Sequence, residues 1–149
     1  MPATGDRKDP LVSYSFYVTV GDIQAAFREC SGLGSENDIV EYKASGKDGV
    51  EVYYKQPGRL KWENITLKRG LTDDLKLWDW RKLIQEGKVD QARKSGSIVM
   101  YDQQGQVKAA WHFDNGWPSK LSGPQLNAGQ NEVAIEECVI AHEGCYREQ

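Results

Sequence analysis

The segment at 57–80 constrains the fold most, because its periodicity changes abruptly at Gly70. Residues 60–69 alternate with a period of two, as in a β-strand whose successive side chains point to opposite faces of a sheet. Neither parity of this strand is wholly apolar. A strand with two mixed faces does not fit the core of a simple monomer, and Ile65 and Leu67 are the best candidates for its packed side.

A single helix is predicted after this strand, over residues 73–86. Its apolar anchors recur at helical spacing, and they are Leu77, Trp80 and Ile84. Thr72 is a suitable N-terminal cap, the acidic residues that follow it favour the positive end of the helix dipole, and Gly87 is suited to end the helix. We expect no other substantial helix in the chain.

Short alternating segments separated by turn residues occupy most of the remaining sequence, a pattern that favours a sandwich or barrel. Turns are predicted at 57–58 and 114–118, where proline and glycine interrupt the alternation. The chain is therefore predicted to be a single, mainly β domain over residues 1–149, an antiparallel sandwich or barrel flanked by the one helix. Besides 60–69, the predicted strands cover residues 14–20, 23–30, 36–43, 50–55, 98–101, 107–113 and 131–141.

Two segments are expected to lie outside the body of the domain. Residues 1–10 are polar and contain two prolines, which is typical of an arm that is flexible or ordered by a partner. Residues 39–55 place a polar, glycine-bearing tip between two strand-like halves, and they predict a projecting hairpin or loop. A surface loop and an arm ordered by a partner both fit this second pattern.

Composition excludes several functional classes. The net charge of -3 and the pI near 5.4 argue against high-affinity binding of nucleic acid, which needs clustered cations. Three cysteines at irregular spacing imply no disulfide framework and fit synthesis in the reducing cytoplasm. No apolar run resembles a signal peptide or a membrane span. A mean hydropathy of -0.66 with five Trp and seven Tyr suits a subunit whose faces are wet or are buried on assembly.

Residues of the types that catalyse reactions or bind metals are few and poorly placed. Cys138, His142 and Cys145, with His112 as a fourth ligand, suggest a metal cluster, yet Cys138 and His142 would lie about 13 Å apart on one strand. No glycine-framed nucleophile accompanies the two histidines. The sequence therefore predicts no catalytic, cofactor-binding or metal site. Two other functions stay open: a monomeric β-sandwich that binds a sugar or peptide, and a hydrolase that uses clustered carboxylates.

A series of short motifs follows in order along the chain. They are YSFYVTVGD at 14–22, FRECSGL at 27–33, PG at 57–58, KWENITLKRG at 61–70, LWDW at 77–80, FDNGWP at 113–118, NEVAIE at 131–136 and AHEG at 141–144. Each motif is weak alone, but their succession resembles the tail tube proteins. These proteins form the inner tube of contractile phage tails and of related contractile injection systems. The resemblance covers about residues 9–144.

This resemblance implies a structural subunit without catalysis or a cofactor. Subunits of the family assemble into hexameric rings that stack into a hollow tube inside a contractile sheath. The tube starts on baseplate and spike proteins, ends at a terminator or cap, and conducts DNA or protein cargo without binding it tightly. No membrane insertion by the subunit is implied. The protein would be made in the cytoplasm and become part of a virion or of an injection particle, and the sequence leaves that choice open.

The resemblance also assigns surfaces within the subunit. The projecting segment is expected to reach the adjacent ring, and its stacking residues are Ser45, Gly46, Lys47, Asp48 and Gly49. Contacts between subunits are expected at Glu36, Glu41, Trp62, Lys68 and Arg69. In these contacts the two cations would pair with carboxylates such as Glu36 or Glu41 across an interface. The helix is expected to brace the outside of the tube wall.

Overall fold

A computed structural model describes residues 15–46, 49–124 and 134–149. The described chain is mainly antiparallel β with two short helices, which confirms the predicted fold class. The first six strands are β1 (Ser15–Val20), β2 (Ile23–Phe27), β3 (Glu29–Ser31), β4 (Ser35–Ser45), β5 (Glu51–Trp62) and β6 (Ile65–Gly70). Helices α1 (Lys76–Gln85) and α2 (Val89–Ala92) follow, and then β7 (Lys94–Tyr101), β8 (Val107–Ser122), β9 (Ile135–Ala141) and β10 (Gly144–Arg147).

Eight strands form one rolled sheet, which we call the barrel. Its strand order is β2-β1-β7-β8-β9-β6-β3, with β10 pairing to β8, and every pair is antiparallel. The two ends of this order, β2 and β3, are separated in sequence by Arg28 alone. The Arg28 N–H donates a hydrogen bond to the Lys68 carbonyl oxygen at 2.8 Å. The ends of the sheet therefore meet, and the sheet curls around one interior.

Strand β8 makes this curvature possible because it changes partner along its length. It pairs with β7 as far as Gly116 and with β9 from Trp117 onward. Asn115 has a φ of 51°, and a β-carbon at Gly116 would collide with the Phe113 ring. The predicted break at 114–118 is therefore wrong: the same residues bend a continuous strand, as bulges and glycines do at barrel corners.

One core joins the packed face of the rolled sheet to the two helices. Its buried members alternate along the strands, as a sheet with one packed face requires. They are Val18, Val20, Ile23, Ala25, Phe27, Ile65, Leu67, Ile98, Phe113, Cys138, Ile140 and Cys145, with Leu77, Trp80 and Ala92 from the helices.

The helical region differs from its prediction in both start and number. Helix α1 begins at Lys76 rather than residue 73 and has no side-chain cap. Thr72 and Asp74 instead form a turn before it, in which the Asp74 N–H donates to Thr72 Oγ1 at 3.2 Å and the Lys76 N–H donates to Asp74 Oδ1 at 3.0 Å. Helix α2 was not predicted, because its four residues are too few to show a helical period.

Strands β4 and β5 form a separate two-stranded sheet, which we call the ribbon (residues 35–62). It is longer than the predicted hairpin at 39–55, and the turn predicted at 57–58 is wrong. Pro57 lies inside β5 opposite Ile39, beside a shift of register between Asn37 and Ile39. Proline has no N–H to donate, and an irregular edge of this kind is where a strand tolerates it.

Candidate assembly surfaces

The ribbon is the most exposed part of the described chain. Both of its strands are exposed along almost their whole length, on both faces. Its large exposed hydrophobic residues are Ile39, Val40, Tyr42, Val50, Tyr53, Tyr54, Leu60 and Trp62. An isolated two-stranded hairpin is marginally stable in water, and contiguous exposed apolar surface marks interaction sites. The ribbon is thus the strongest candidate for an assembly surface.

Charged side chains of the ribbon pair with one another. Lys43 Nζ lies 2.8 Å from Glu51 Oε1, and Lys55 Nζ lies 3.9 Å from Glu41 Oε1. Lys61 Nζ lies 3.0 Å from Asp38 Oδ1. The hydrogen bond and charge of Asp38 raise the pKa of Lys61. These contacts occur within one subunit, so Glu41 already has a cation beside it.

The tip of the ribbon is the predicted stacking segment. Ser45 ends β4, and the Gly46 N–H donates to the Val50 carbonyl oxygen at 2.8 Å. Gly49 has a φ of +73°, a conformation that favours glycine. Lys47 and Asp48 lie outside the described residues. The role of this tip in ring stacking stays a prediction.

The ribbon joins the barrel at Trp62 and Glu63. The Glu63 N–H donates to the Gly34 carbonyl oxygen at 3.2 Å, and the Glu63 carbonyl oxygen lies 2.9 Å from His142 Nε2. The Trp62 ring centre is 6.0 Å from that of His142. Trp62 is 36% exposed, so it packs partly on the barrel and leaves part of its indole uncovered.

Arg69 corrects one prediction about subunit contacts. Its side chain is buried, and its Nε lies 2.8 Å from Glu136 Oε2, while its Nη1 is 4.0 Å from Asp74 Oδ2. Register explains the pairing, because Arg69 of β6 stands directly opposite Glu136 of β9. Arg69 therefore pairs inside its own subunit and is not free to meet Glu36 or Glu41 of another.

Lys68 points the other way and stays partly exposed. Its Nζ lies 3.9 Å from Glu29 Oε2, a solvated contact across β3 and β6. Glu36, Glu41, Trp62 and Lys68 all present surface that another subunit can reach, and their contact with one stays a prediction.

Helix α1 packs against β8 and contributes to the same core as the strands. Leu77 and Trp80 are buried, and Ile84 is partly buried against the same core. The Trp80 Nε1–H donates to the Ala92 carbonyl oxygen at 2.6 Å, which ties α1 to α2. Arg81 Nη1 donates to the Pro118 carbonyl oxygen at 3.1 Å, which ties α1 to β8.

Sequence reasoning missed the roles of Glu136 and Trp78. The buried Glu136 carboxylate accepts hydrogen bonds from both Arg69 Nε and Trp78 Nε1, so it joins β6, β9 and α1. One signal was available: Glu136 shares the parity of Cys138 and Ile140, both apolar in character. A single carboxylate on an apolar parity indicates a buried, paired charge.

The described residues contain no group of histidine, cysteine and carboxylate side chains placed to hold a metal ion. Cys138 and Cys145 are buried free thiols. Burial raises the pKa of the Cys138 and Cys30 thiols to about 12. The reactive form of cysteine is the thiolate, so these groups stay protonated and unreactive near neutral pH.

One open cleft of about 420 Å³ lies beside β3 and β6. Its lining includes Arg28, Glu29, Lys68 and Glu137, with Phe16 as its aromatic member. No tryptophan lines it, whereas stacking on tryptophan was the basis of the sugar-binding alternative. Among the described residues, no helix is both long and apolar enough to cross a membrane.

The described chain thus consists of a rolled antiparallel sheet, two short helices packed against it and an uncovered ribbon. The chain belongs to the T4-like virus tail tube protein gp19 family, whose model matches residues 12–146. This confirms the resemblance found in the motifs and makes the chain a structural subunit of a tube.

Two solved structures show how far this similarity extends. A chain of the PVC sheath–tube complex, an extracellular contractile injection system in its extended state, is 30% identical with a TM-score of 0.79. That match covers 93% of this chain and 91% of the other. A chain of the anti-feeding prophage cap, which terminates the tube, is 28% identical with a TM-score of 0.82, covering 98% and 95%.

More distant proteins share the fold alone. Hcp1 from Flavobacterium johnsoniae is 12% identical with a TM-score of 0.56, and the match covers 91% of this chain and 95% of that one. Comparison with curated protein sequences gave no significant match.

Proposed function

We propose that this chain assembles into hexameric rings, which stack into the hollow inner tube of a contractile particle. The observation that supports the proposal is the ribbon, whose exposed apolar side chains receive no cover from their own barrel. Repeated head-to-tail contacts close into a ring when their rotation permits. A ribbon that reaches an adjacent copy would gain the burial it lacks in the subunit.

Other partners follow from the same proposal. The similar chains come from complexes that contain sheath, a tube terminator or cap, and a baseplate. We therefore assign this chain a place inside a sheath, starting on a baseplate and ending at a cap. The lumen would carry cargo without holding it tightly, because a net charge of -3 per chain provides no strongly basic surface for a polyanion.

The particle is proposed to be an injection system rather than a DNA-containing virion. The similar structures at 28–30% identity belong to the PVC and anti-feeding prophage particles. Synthesis in the cytoplasm and release as part of that particle fit this reading. Genes for sheath, baseplate and an ATPase beside this one, without capsid and terminase genes, would support it.

Electron microscopy tests the assembly directly. The purified chain, alone and with its sheath and baseplate proteins, is examined by negative stain, and native mass spectrometry counts the copies in each ring. Rings of six and hollow tubes are the expected result. Monodisperse monomers, combined with intact parent particles after deletion of the gene, would refute the proposal.

A further inference from the structure

The direction of the ribbon depends on a small region where it leaves the barrel. We call this region the root, and it consists of the two linkers at 32–34 and 63–64. The described hydrogen bonds and ion pairs of residues 35–61 all stay within the ribbon. Neither β4 nor β5 packs extensively against another strand or helix of the described chain. The angle between ribbon and barrel is therefore set at the root.

A small rotation at the root would displace the far end of the ribbon by a large distance. Strand β5 has 12 residues, so at about 3.3 Å per residue it is about 40 Å long. A rotation of about 10° at one end of a strand of that length moves its other end by about 7 Å, which exceeds the spacing of about 4.8 Å between paired strands. The ribbon must therefore be held in direction if its side chains are to meet a fixed surface of another subunit.

The linker at 32–34 is fixed by its own packing. Leu33 packs against the hydrophobic core. Gly32 has a φ of +83°, and a β-carbon at this position would lie 2.0 Å from the Asn64 carbonyl oxygen. The left-handed conformation and the close approach both require glycine. This linker is thus held against the core and against the second linker.

The linker at 63–64 is held by the side chain of His142. The His142 Nε2 lies 2.9 Å from the Glu63 carbonyl oxygen. Because a carbonyl oxygen can only accept, Nε2 carries the proton and donates it. The other ring nitrogen, Nδ1, is buried and has no hydrogen-bond partner among the described residues. The same imidazole lies beside Trp62, the last residue of β5, with ring centres 6.0 Å apart.

His142 is itself fixed to the barrel. Its ring centre lies 6.3 Å from that of the buried Phe113. The next residue, Glu143, is attached to the bend of β8. Its N–H donates to the Asp114 carbonyl oxygen at 2.9 Å, and its Oε2 accepts from Asn115 Nδ2 at 2.7 Å. The bend that curves the barrel therefore also carries the histidine that contacts the root.

Three motifs from distant parts of the sequence meet at this point. KWENITLKRG contains Trp62 and Glu63, FDNGWP contains the bend of β8, and AHEG contains His142 and Glu143. AHEG links β9 to β10. That link alone would not require an imidazole that reaches another segment. The contact with Glu63 gives this histidine a role that the connection between two strands does not explain.

We propose that His142 is a positioning residue, which sets the direction of the ribbon through its hydrogen bond to the Glu63 carbonyl oxygen. A ribbon already held in direction loses less conformational freedom when it meets a partner, so assembly is favoured. The consequence for assembly rests on the proposed tube, whereas the holding of the ribbon is a property of the single subunit. His142 is only partly buried, and its contact with Glu63 is exposed, so removing that contact need not unfold the barrel.

Two substitutions separate the hydrogen bond from the space that the ring fills. His142→Leu keeps a bulky side chain at the root but removes the donor. His142→Gln keeps an N–H donor. The matched control is His112→Leu, because His112 is the other histidine of the chain and contacts Asp114 and Tyr146 rather than the ribbon. Thermal unfolding of each variant checks that the barrel stays folded.

Energy transfer between two dyes measures the direction of the ribbon. The dyes are attached through Val50→Cys near the far end of the ribbon and Gln24→Cys on β2, both at exposed positions. The chain without these two substitutions measures the background from its three native cysteines. Fluorescence lifetimes of diluted subunits give the spread of distances. With His142→Leu, the ratio of held to displaced ribbons should fall about fivefold, the equilibrium equivalent of one hydrogen bond.

The comparison of variants decides the role of His142. A broader spread of distances for His142→Leu, with His142→Gln and His112→Leu close to wild type, supports the proposal. An unchanged spread for His142→Leu overturns it, because the backbone linkers would then set the direction alone. Equal broadening for His142→Leu and His142→Gln also overturns it, because the imidazole would then act by its shape.

Tube formation tests the consequence for assembly. The concentration at which tubes form should rise for His142→Leu and return toward the wild-type value for His142→Gln, since only held subunits are competent to join. Unchanged tube formation despite a broader spread of distances would overturn the link to assembly. If the wild-type chain forms neither rings nor tubes, the proposed function fails, while the distances still decide whether His142 holds the ribbon.

Discussion

The barrel and the ribbon are both built from antiparallel strands, yet they bury their side chains to very different extents. Strands β5 and β6 show this most clearly, since only Glu63 and Asn64 separate them. Leu60 of β5 is 49% exposed, whereas Leu67 of β6 is 0% exposed. The two strands have similar alternation and similar residue types, so pairing alone does not create a core. Burial requires a second layer, which β6 has inside the barrel and β5 lacks.

The barrel therefore buries its apolar side chains within the subunit. The ribbon needs another molecule to bury its apolar side chains. The barrel has a core, an internal ion pair and two helices against its wall. The ribbon has backbone pairing and solvated ion pairs. Changes in the barrel should therefore alter the unfolding of the subunit, and changes in the ribbon should alter assembly while leaving unfolding nearly unchanged.

The largest effect is expected from Glu136→Ala. This change leaves the Arg69 guanidinium buried with the more distant, partly exposed Asp74 as its remaining carboxylate, and it also removes the acceptor of the Trp78 indole. Loss of one partner of a buried pair costs about 3–5 kcal/mol. Urea unfolding of the isolated subunit measures it, with Glu41→Ala of the ribbon as the control. A loss as small as that of the control would show that Arg69 finds water or another partner.

The next effect separates the two leucines. Leu67→Ala should destabilise the subunit by about 2–5 kcal/mol, because it leaves a cavity in the core. Leu60→Ala removes the same atoms from the exposed ribbon and should change the free energy of unfolding by less than about 0.5 kcal/mol. Thermal unfolding of both variants measures the contrast. Equal losses would mean that the ribbon packs on the barrel in solution.

A smaller effect on the free energy of unfolding is expected at alkaline pH from the buried Cys138 thiol. Burial raises the pKa of Cys138 from 9.0 to about 12, so the folded state keeps a proton that the unfolded state releases. This contribution is fully present below pH 9 and is lost as pH rises from 9 toward 12. Its slope is at most about 1.4 kcal/mol per pH unit.

Comparison of the wild type with Cys138→Ala isolates the thiol from other titrating groups. The free energy of unfolding is measured in urea from pH 8 upward, in steps chosen so that both proteins remain reversible. The variant should lose stability less steeply with rising pH. The same dependence of the free energy of unfolding on pH in both proteins would contradict the burial of the Cys138 thiol away from water.

The smallest effect is expected from an exposed ion pair of the ribbon. Lys43→Ala removes the ion pair with Glu51, whose side chains are both more than half exposed. Exposed pairs contribute little, so the free energy of unfolding should change by less than about 0.5 kcal/mol. The difference should shrink further at high salt, which screens exposed charges. A larger, salt-independent loss would mean that this ion pair is buried.

Local patterns in the sequence predicted much of the fold. Alternation located most strands, Ile65 and Leu67 were assigned to the packed side, and both are fully buried. The turns predicted from proline and glycine were wrong at two places. Pro57 lies within β5, and the bend at Asn115 and Gly116 lies within β8, because pairing to distant strands continued through both. Proline and glycine indicate only a local preference for a turn. Pairing with distant strands can stabilise an extended backbone enough to override that preference.

By itself, the sequence determined the mainly β class, the tail tube family and the alternation that produces two faces on each strand. Only the tertiary structure decided which residues meet. Arg69 and Glu136 are 67 positions apart, and no local period links them. The register of β6 against β9 places them opposite each other inside the barrel. The segment at 57–80 thus contains a ribbon strand, a barrel strand and a helix, because side-chain burial depends on what packs across each strand.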